Sequence, residues 1–193
     1  MAAMRTGIHE ALSLLAQAGA FFGRHYLVIA LFSAPAALQR FVAVGGGGVR
    51  FGPLASMAQG VIGELATVAL RLGLLAWLVA TIFRGVPRAD ASSRLTHFVE
   101  AHAPMLLASA GLLVLLTLLA NGIPMALRSG LVEPERKSLL AWELAIKNLT
   151  IIPFVMVWMV LLARVAFGGF EPRNRAGRTT PGVRLGSNRQ GGV

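Results

Sequence analysis

Long apolar runs at regular intervals constrain this chain more than any other feature. Residues 61–83, 105–127 and 146–167 are each long enough, at about 1.5 Å per residue, to cross a hydrocarbon core ~30 Å thick. A fourth run is less clean. Its purely apolar part, 27–38, is short, and it reaches span length as 26–44 only by taking in Gln39 and Arg40. Those two would then lie at an interface, where an arginine can snorkel. A re-entrant or interfacial segment is the competing reading of 26–44. The fold class expected is all-α: a polytopic integral membrane protein, a four-transmembrane-helix bundle with short amphipathic interfacial helices. Residues 1–25 form its N-terminal amphipathic segment, 26–169 the transmembrane domain and 170–193 a basic tail.

Composition agrees with lipid as the main solvent. Charged residues make up only 13% of the 193 and hydrophobic ones 55%, against about 25% charged in soluble domains. That argues against a disordered chain, a secreted disulfide scaffold and a cytosolic enzyme. Cysteine is absent, which excludes disulfides, thiolate metal sites, iron–sulfur clusters and cysteine nucleophiles.

Short amphipathic segments precede the spans. In 8–22, Ile8, Leu12, Leu15, Ala18 and Phe22 share one face, with His9, Ser13, Gln17 and Arg24 on the other. This pattern predicts a helix lying at the membrane surface. Glu10 and the brevity of the apolar run at 11–16 argue against a cleaved signal peptide. Segment 92–102 offers Leu95, Phe98 and Val99 on one face. Segment 134–146 begins with Pro134 and carries Leu139, Leu140, Trp142 and Ala145. A short interfacial helix leading into a span thus recurs, and 19–38 and 100–116 are loosely alike, a faint sign of internal repetition.

Charge asymmetry fixes the expected orientation. With four spans, Arg5 and Arg24, Arg84, Arg88 and Arg94, and the tail residues Arg173, Arg175, Arg178, Arg184 and Arg189 share one side. Arg40, Arg50, Arg128, Arg136 and Lys137 lie on the other. Both termini are expected in the cytoplasm. Sixteen arginines to two lysines associate the chain with a GC-rich bacterial genome, hence with the bacterial inner membrane. The glycine run 45–48 lacks the Lys-Ser or Lys-Thr of a phosphate loop and reads as a linker. The tail has no apolar periodicity and is expected to contact anionic lipid or a partner through its five arginines. Nucleic acid is not an expected partner, because the tail lacks aromatics for base stacking.

The polar residues inside the spans carry the functional question. Arg71 lies near the middle of its run, where translocon scales charge about 2.5–3.5 kcal/mol for insertion. Glu64 and Thr67 precede it by seven and four residues and share its helix face. Two turns, ~10.5 Å, separate Glu64 from Arg71, too far for a close ion pair. Arg40, Asn121 and Asn148 belong to the same half of the bundle by topology. Arg40, Glu64, Thr67, Arg71, Asn121 and Asn148 are therefore the candidate intramembrane polar cluster. Its members either lock helices together, within the chain or with a partner, or line a ligand or ion pathway. Arg164, near the end of the last run, reads as a snorkelling residue.

Enzyme signatures give no support for catalysis. His97 and His102 flank Glu100 like an inverted zinc-protease motif with one residue too many, which places the two histidines about 140° apart on a helix. His25 and His102 sit at the same boundary before two spans and read as interfacial residues rather than haem ligands. No nucleophile elbow, P-loop or dinucleotide fingerprint occurs. Glu64 stands out as the sole acid within a span. No catalytic residue, metal or cofactor is expected. The expected role is that of a non-catalytic membrane subunit, or an assembly or stabilising factor, docked to other integral membrane proteins. The small residues of 66–73 and 108–111 would allow close helix contact. The alternative is a small transporter or lipid-handling protein with a polar cavity at Glu64, Arg71 and Asn121.

Overall fold

The structure, a computed structural model, describes residues 2–45, 52–85 and 91–168. Gly46–Gly48, Arg50, Arg88 and the tail arginines Arg173, Arg175, Arg178, Arg184 and Arg189 lie outside the described residues. Within them the chain is helical and strand-free. The elements are α1 (Ala2–Arg24), α2 (Tyr26–Val44), α3 (Pro53–Gln59), α4 (Val61–Ile82), α5 (Ala91–Ala101), α6 (Ala103–Arg128), α7 (Glu133–Ile146) and α8 (Ile152–Gly168). A π turn, Lys147–Ile151, joins α7 to α8.

Four stretches are long and apolar enough to cross a membrane: Tyr26–Val44, Val61–Ile82, Ala103–Arg128 and Glu133–Phe167. The ambiguous first run is one uninterrupted helix through Pro35, Gln39 and Arg40, and ends where Gly45 adopts a left-handed φ of 94°. There its N–H reaches the carbonyls of Phe41 and Val42, closing the helix in a conformation that costs a residue with a Cβ far more.

The fourth stretch differs from expectation. Residues 134–146 do not form a separate interfacial helix: α7 runs directly into α8. A π turn joins the two, and Pro153 stands two residues after it. It has no N–H to give the carbonyl four residues back, and its ring crowds that carbonyl. Widening one turn to the π spacing relieves the clash without breaking the helix. Pro124, by contrast, leaves α6 a single helix to Arg128.

The N-terminal helix also departs from expectation. It is amphipathic, but it stands against α6 and α8 rather than lying across one end of the bundle. Gly7 meets Pro104 at the start of α6, while Phe22 meets Phe154 near the start of α8 at 5.7 Å between rings. α6 and α8 run in opposite directions, so those two contacts lie at different levels. An element lying flat could not make both. The buried stripe is Gly7, Ala11, Leu14 and Ala18, rotated by one position from the anticipated face, and Ile8 and Leu12 are 45% and 47% exposed. Small side chains win this face because they admit close helix approach. With Ile29, Leu74, Leu78, Met105, Val157 and Trp158, the stripe forms the core.

The two helix pairs α1–α2 and α5–α6 share one joint. His25 links the first with φ −110° and ψ 16°, and His102 the second with φ −118° and ψ 21°. Each histidine ring packs on the phenylalanine four residues earlier, Phe21 at 4.5 Å and Phe98 at 4.7 Å. Backbone bonds continue through both joints, so each is a bend in a helix rather than a break. Each pair is then followed by a short helix and a further apolar one. The faint sequence likeness thus corresponds to a repeated local architecture.

Candidate functional site

The polar residues sort into three groups along α4, the π turn and α6. The first is exposed. Arg40 Nη2 donates to Glu64 Oε2 at 2.8 Å, with the side chains 33% and 46% exposed. Gln39 Nε2 donates to the Ala58 carbonyl at 2.6 Å and lies 3.5 Å from Glu64 Oε1. This group ties α2, α3 and α4 together at their shared end. As a partly exposed pair, Arg40–Glu64 contributes only about 0–1 kcal/mol in water.

The second group is internal. Arg71 Nη2 donates to Asn148 Oδ1 at 2.7 Å. Asn148 is 6% exposed, and its Nδ2 donates to the Leu144 carbonyl at 2.7 Å, which holds the amide with its oxygen toward the guanidinium. Thr67 is buried on the same face of α4, one turn from Arg71. Arg71 lies within 4 Å of no carboxylate among the described residues. Its partner Asn148 is neutral, so among the described residues no carboxylate pairs with its charge.

The third group centres on Glu143, in the segment 134–146 expected as an interfacial helix. The Glu143 side chain is 7% exposed and lies 3.2 Å from Arg128 Nη1 and in contact with Lys147 Nζ. Lys147 Nζ also donates to Asn121 Oδ1 at 2.8 Å, and Asn121 Nδ2 donates to the Thr117 carbonyl at 2.7 Å. Asn121 therefore does not join Arg71 and Glu64. Nor is Glu64 the sole acid within a membrane-length helix: Glu143 lies in Glu133–Phe167. Its four-residue spacing to Lys147, favourable on one helix face, was the readable signal.

The π turn produces this division. Consecutive residues Lys147 and Asn148 reach opposite neighbours, Lys147 toward α6 and Asn148 toward α4. Together the groups hold four cations, Arg40, Arg71, Arg128 and Lys147, against two carboxylates, Glu64 and Glu143. The arrangement attracts anions.

An apolar groove of about 410 Å³ lies between α4 and α8, lined by Leu75, Val79, Phe83, Val155, Met156 and Met159 among others. Its α4 wall begins at Leu75, one turn after Arg71, and Arg71 is not part of the lining. The expected small-residue contacts are internal where they are visible: Gly73 faces Phe32, and a Cβ there would stand 3.2 Å from its ring.

His25 and His102 pack on aromatic rings, whereas His9 and His97 are exposed. His25 stacks edge-on to Trp77 at 5.6 Å as well as on Phe21. Among the described residues, no three of His, Asp and Glu come together in a way that could hold a metal ion. Arg164 is exposed near the end of α8, and Trp142 lies 55% exposed against Phe41. Set against protein-family models, characterised proteins and solved structures, the chain matches none.

Proposed function

We propose that this chain is a non-catalytic integral membrane subunit, or an assembly or stabilising factor, of a larger bacterial inner-membrane complex, with both termini cytoplasmic. One observation carries the reading: α6 is the least covered membrane-length helix, with 11% of its apolar window buried. Along its second half, Leu115, Leu118, Leu119, Ile123, Met125 and Leu127 are between 49% and 70% exposed. Gly111 and Gly122, eleven residues apart, lie within about 20° of one another around the helix. A Cβ at either would meet nothing within 4 Å. A partner helix could approach α6 closely along that face, where packing and small residues drive association in lipid. The tail arginines Arg173, Arg175, Arg178, Arg184 and Arg189 would hold anionic lipid or an acidic partner beside it.

Gentle extraction from the native membrane followed by native mass spectrometry tests this. Full-length protein is compared with a variant ending at Gly169 and with Gly111→Leu/Gly122→Leu. Stoichiometric membrane partners, weakened by either change, are expected. A lone monomer or homodimer would sink the subunit reading.

A second reading, a small transporter or lipid-handling protein, is favoured by the excess of cations inside the bundle. Ion pairs that serve only to lock helices need no surplus charge. Here the recorded partner of Arg71 is a neutral amide.

A further inference from the structure

We propose that Arg128 and Lys147, where α6 meets α7, hold the phosphate of one anionic phospholipid of the phosphatidylglycerol type. Its acyl chains lie on the exposed face of α6. The inference goes beyond both functional readings and requires only membrane insertion.

Charge points to an anion. Arg128 Nη1 lies 3.2 Å from Glu143, whose carboxylate also contacts Lys147 Nζ. Two cations thus share one acid, and the group keeps a surplus of one positive charge. The other acids of α7, Glu133 and Glu135, stand ten and eight residues before Glu143, ~15 and ~12 Å along the axis. Glu133 is itself paired with Arg136 and Lys137. A phosphodiester carries a single negative charge, which balances the group.

The acid is the buried member. The Glu143 side chain is 7% exposed, against 15% for Lys147 and 22% for Arg128. The group therefore turns N–H donors outward rather than its carboxylate. Lys147 spends two of its three donors, on Glu143 and Asn121. Among the described residues, Nη2 of Arg128 has no partner. Free donors on charged groups suit the oxygens of a phosphate.

Depth selects a lipid. Lys147 Nζ and Asn121 Oδ1 meet at 2.8 Å. Lys147 stands twenty residues, ~30 Å, before Phe167, and Asn121 eighteen residues, ~27 Å, after Ala103. Two separate helices thus place this contact about one hydrocarbon thickness from their far ends, at the level of the head groups of one leaflet. Arg128 stands two turns further out on the same face of α6.

An apolar surface lies directly beneath. Asn121 is exposed, and below it Leu118 is 63% and Val114 57% exposed. Both lie within about 60° of Asn121 around the helix and within ~10.5 Å along it, inside the ~15 Å of one leaflet. Acyl chains reaching down from the cations would cover them. Gly111 and Gly122 lie about 80–100° further round α6, so a lipid here leaves the glycine face open to a partner helix. A zwitterionic lipid brings its own ammonium and adds no net negative charge. Cardiolipin brings a second phosphate, for which the group has no second surplus charge.

The test uses full-length protein in phosphatidylcholine vesicles, floated on a density gradient to show insertion. A small share of phosphatidylglycerol carrying a diazirine on its head group is the probe, and peptide mass spectrometry locates the label. Label is expected on 118–128 and 140–147, competed about tenfold better by plain phosphatidylglycerol than by phosphatidylethanolamine. Arg128→Gln and Lys147→Gln each leave Glu143 paired and remove the surplus charge. Each should lower label there about tenfold, while label on other segments stays as it was. Arg128→Lys should retain much of it, which separates loss of charge from loss of packing. Equal competition by phosphatidylethanolamine, undiminished label in either glutamine variant, or stronger competition by cardiolipin per phosphate would overturn the proposal. Competition by inorganic phosphate alone would make the ligand a free anion and overturn it too. Protein that does not float removes membrane insertion, and the site with it.

Discussion

Arg71 of α4 is held 2.7 Å from Asn148 Oδ1, across the boundary between the two halves of the chain. A charge-assisted hydrogen bond of this kind is worth about 1.5–3 kcal/mol. Removing one partner leaves the other, part-buried group without its hydrogen bond. Asn148→Leu and Arg71→Leu should each destabilise the protein by roughly that amount, and the double variant by less than the sum. Reversible unfolding in mixed micelles measures the cycle. Strict additivity would show that the two side chains do not interact.

Glu143 neutralises two neighbours at once. Replacing it with Leu leaves Arg128 and Lys147 facing each other with no acid between them. Breaking a buried charge group by removing one member costs about 3–5 kcal/mol, so Glu143→Leu should be the most damaging single change at the α6–α7 junction. Lys147→Met should be milder, because Arg128 remains to pair the carboxylate. Loss of stability on thermal melting, ranked in that order, is the expected readout.

Two glycines of α1 should respond oppositely. A Cβ at Gly7 would stand 2.7 Å from the Pro104 backbone carbon, whereas one at Gly19 meets nothing within 4 Å. Gly7→Ala must push α1 off α6 and should cost about 1–3 kcal/mol, like other overpacking substitutions. Gly19→Ala should stabilise by up to ~1 kcal/mol, from helix propensity alone. Melting temperatures of the two variants check the packing of α1.

Pro153 is the proposed cause of the π turn, and removing it should remove the turn. In Pro153→Ala the restored N–H can bond four residues back, and Lys147–Ile151 should tighten toward α geometry. That change rotates everything on one side of the turn by about 100°, which takes Asn148 off Arg71. Amide hydrogen exchange across 147–153 should slow, and the coupling between Arg71 and Asn148 should fall. Unchanged coupling would assign the turn to another cause.

Orientation can be read directly, because the chain contains no cysteine and any introduced thiol reports alone. Single cysteines at Ala3 and at Thr180 should react with a membrane-impermeant reagent only after the bilayer is permeabilised from intact cells. Labelling of Ala3→Cys from outside while Thr180→Cys stays protected would reverse the N-terminus and require an odd number of spans.

Much of this architecture was legible in the chain. The limits of three apolar helices fall within a few residues of the runs that hydropathy marks, because the apolarity of a run of side chains is a local property. The resemblance of 19–38 to 100–116 foreshadowed the matched joints at His25 and His102. The pairing of polar groups was not legible. Spacing placed Glu64, Thr67 and Arg71 on one face of α4, yet topology grouped Asn121 with them, and nothing singled out Glu143.

By itself, then, the sequence determined that the chain is helical, where its apolar helices run, and that a mid-helix arginine must find a partner. Each of these follows from side chains and their near neighbours along the chain. Tertiary structure alone decided that Arg71 meets Asn148 rather than Glu64, that Asn121 meets Lys147, and that α1 stands along α6 on Gly7, Ala11, Leu14 and Ala18. Those outcomes depend on the rotation of whole helices about their axes. One widened turn ahead of Pro153 shifts that rotation by a full residue, and no spacing rule within a single helix specifies it.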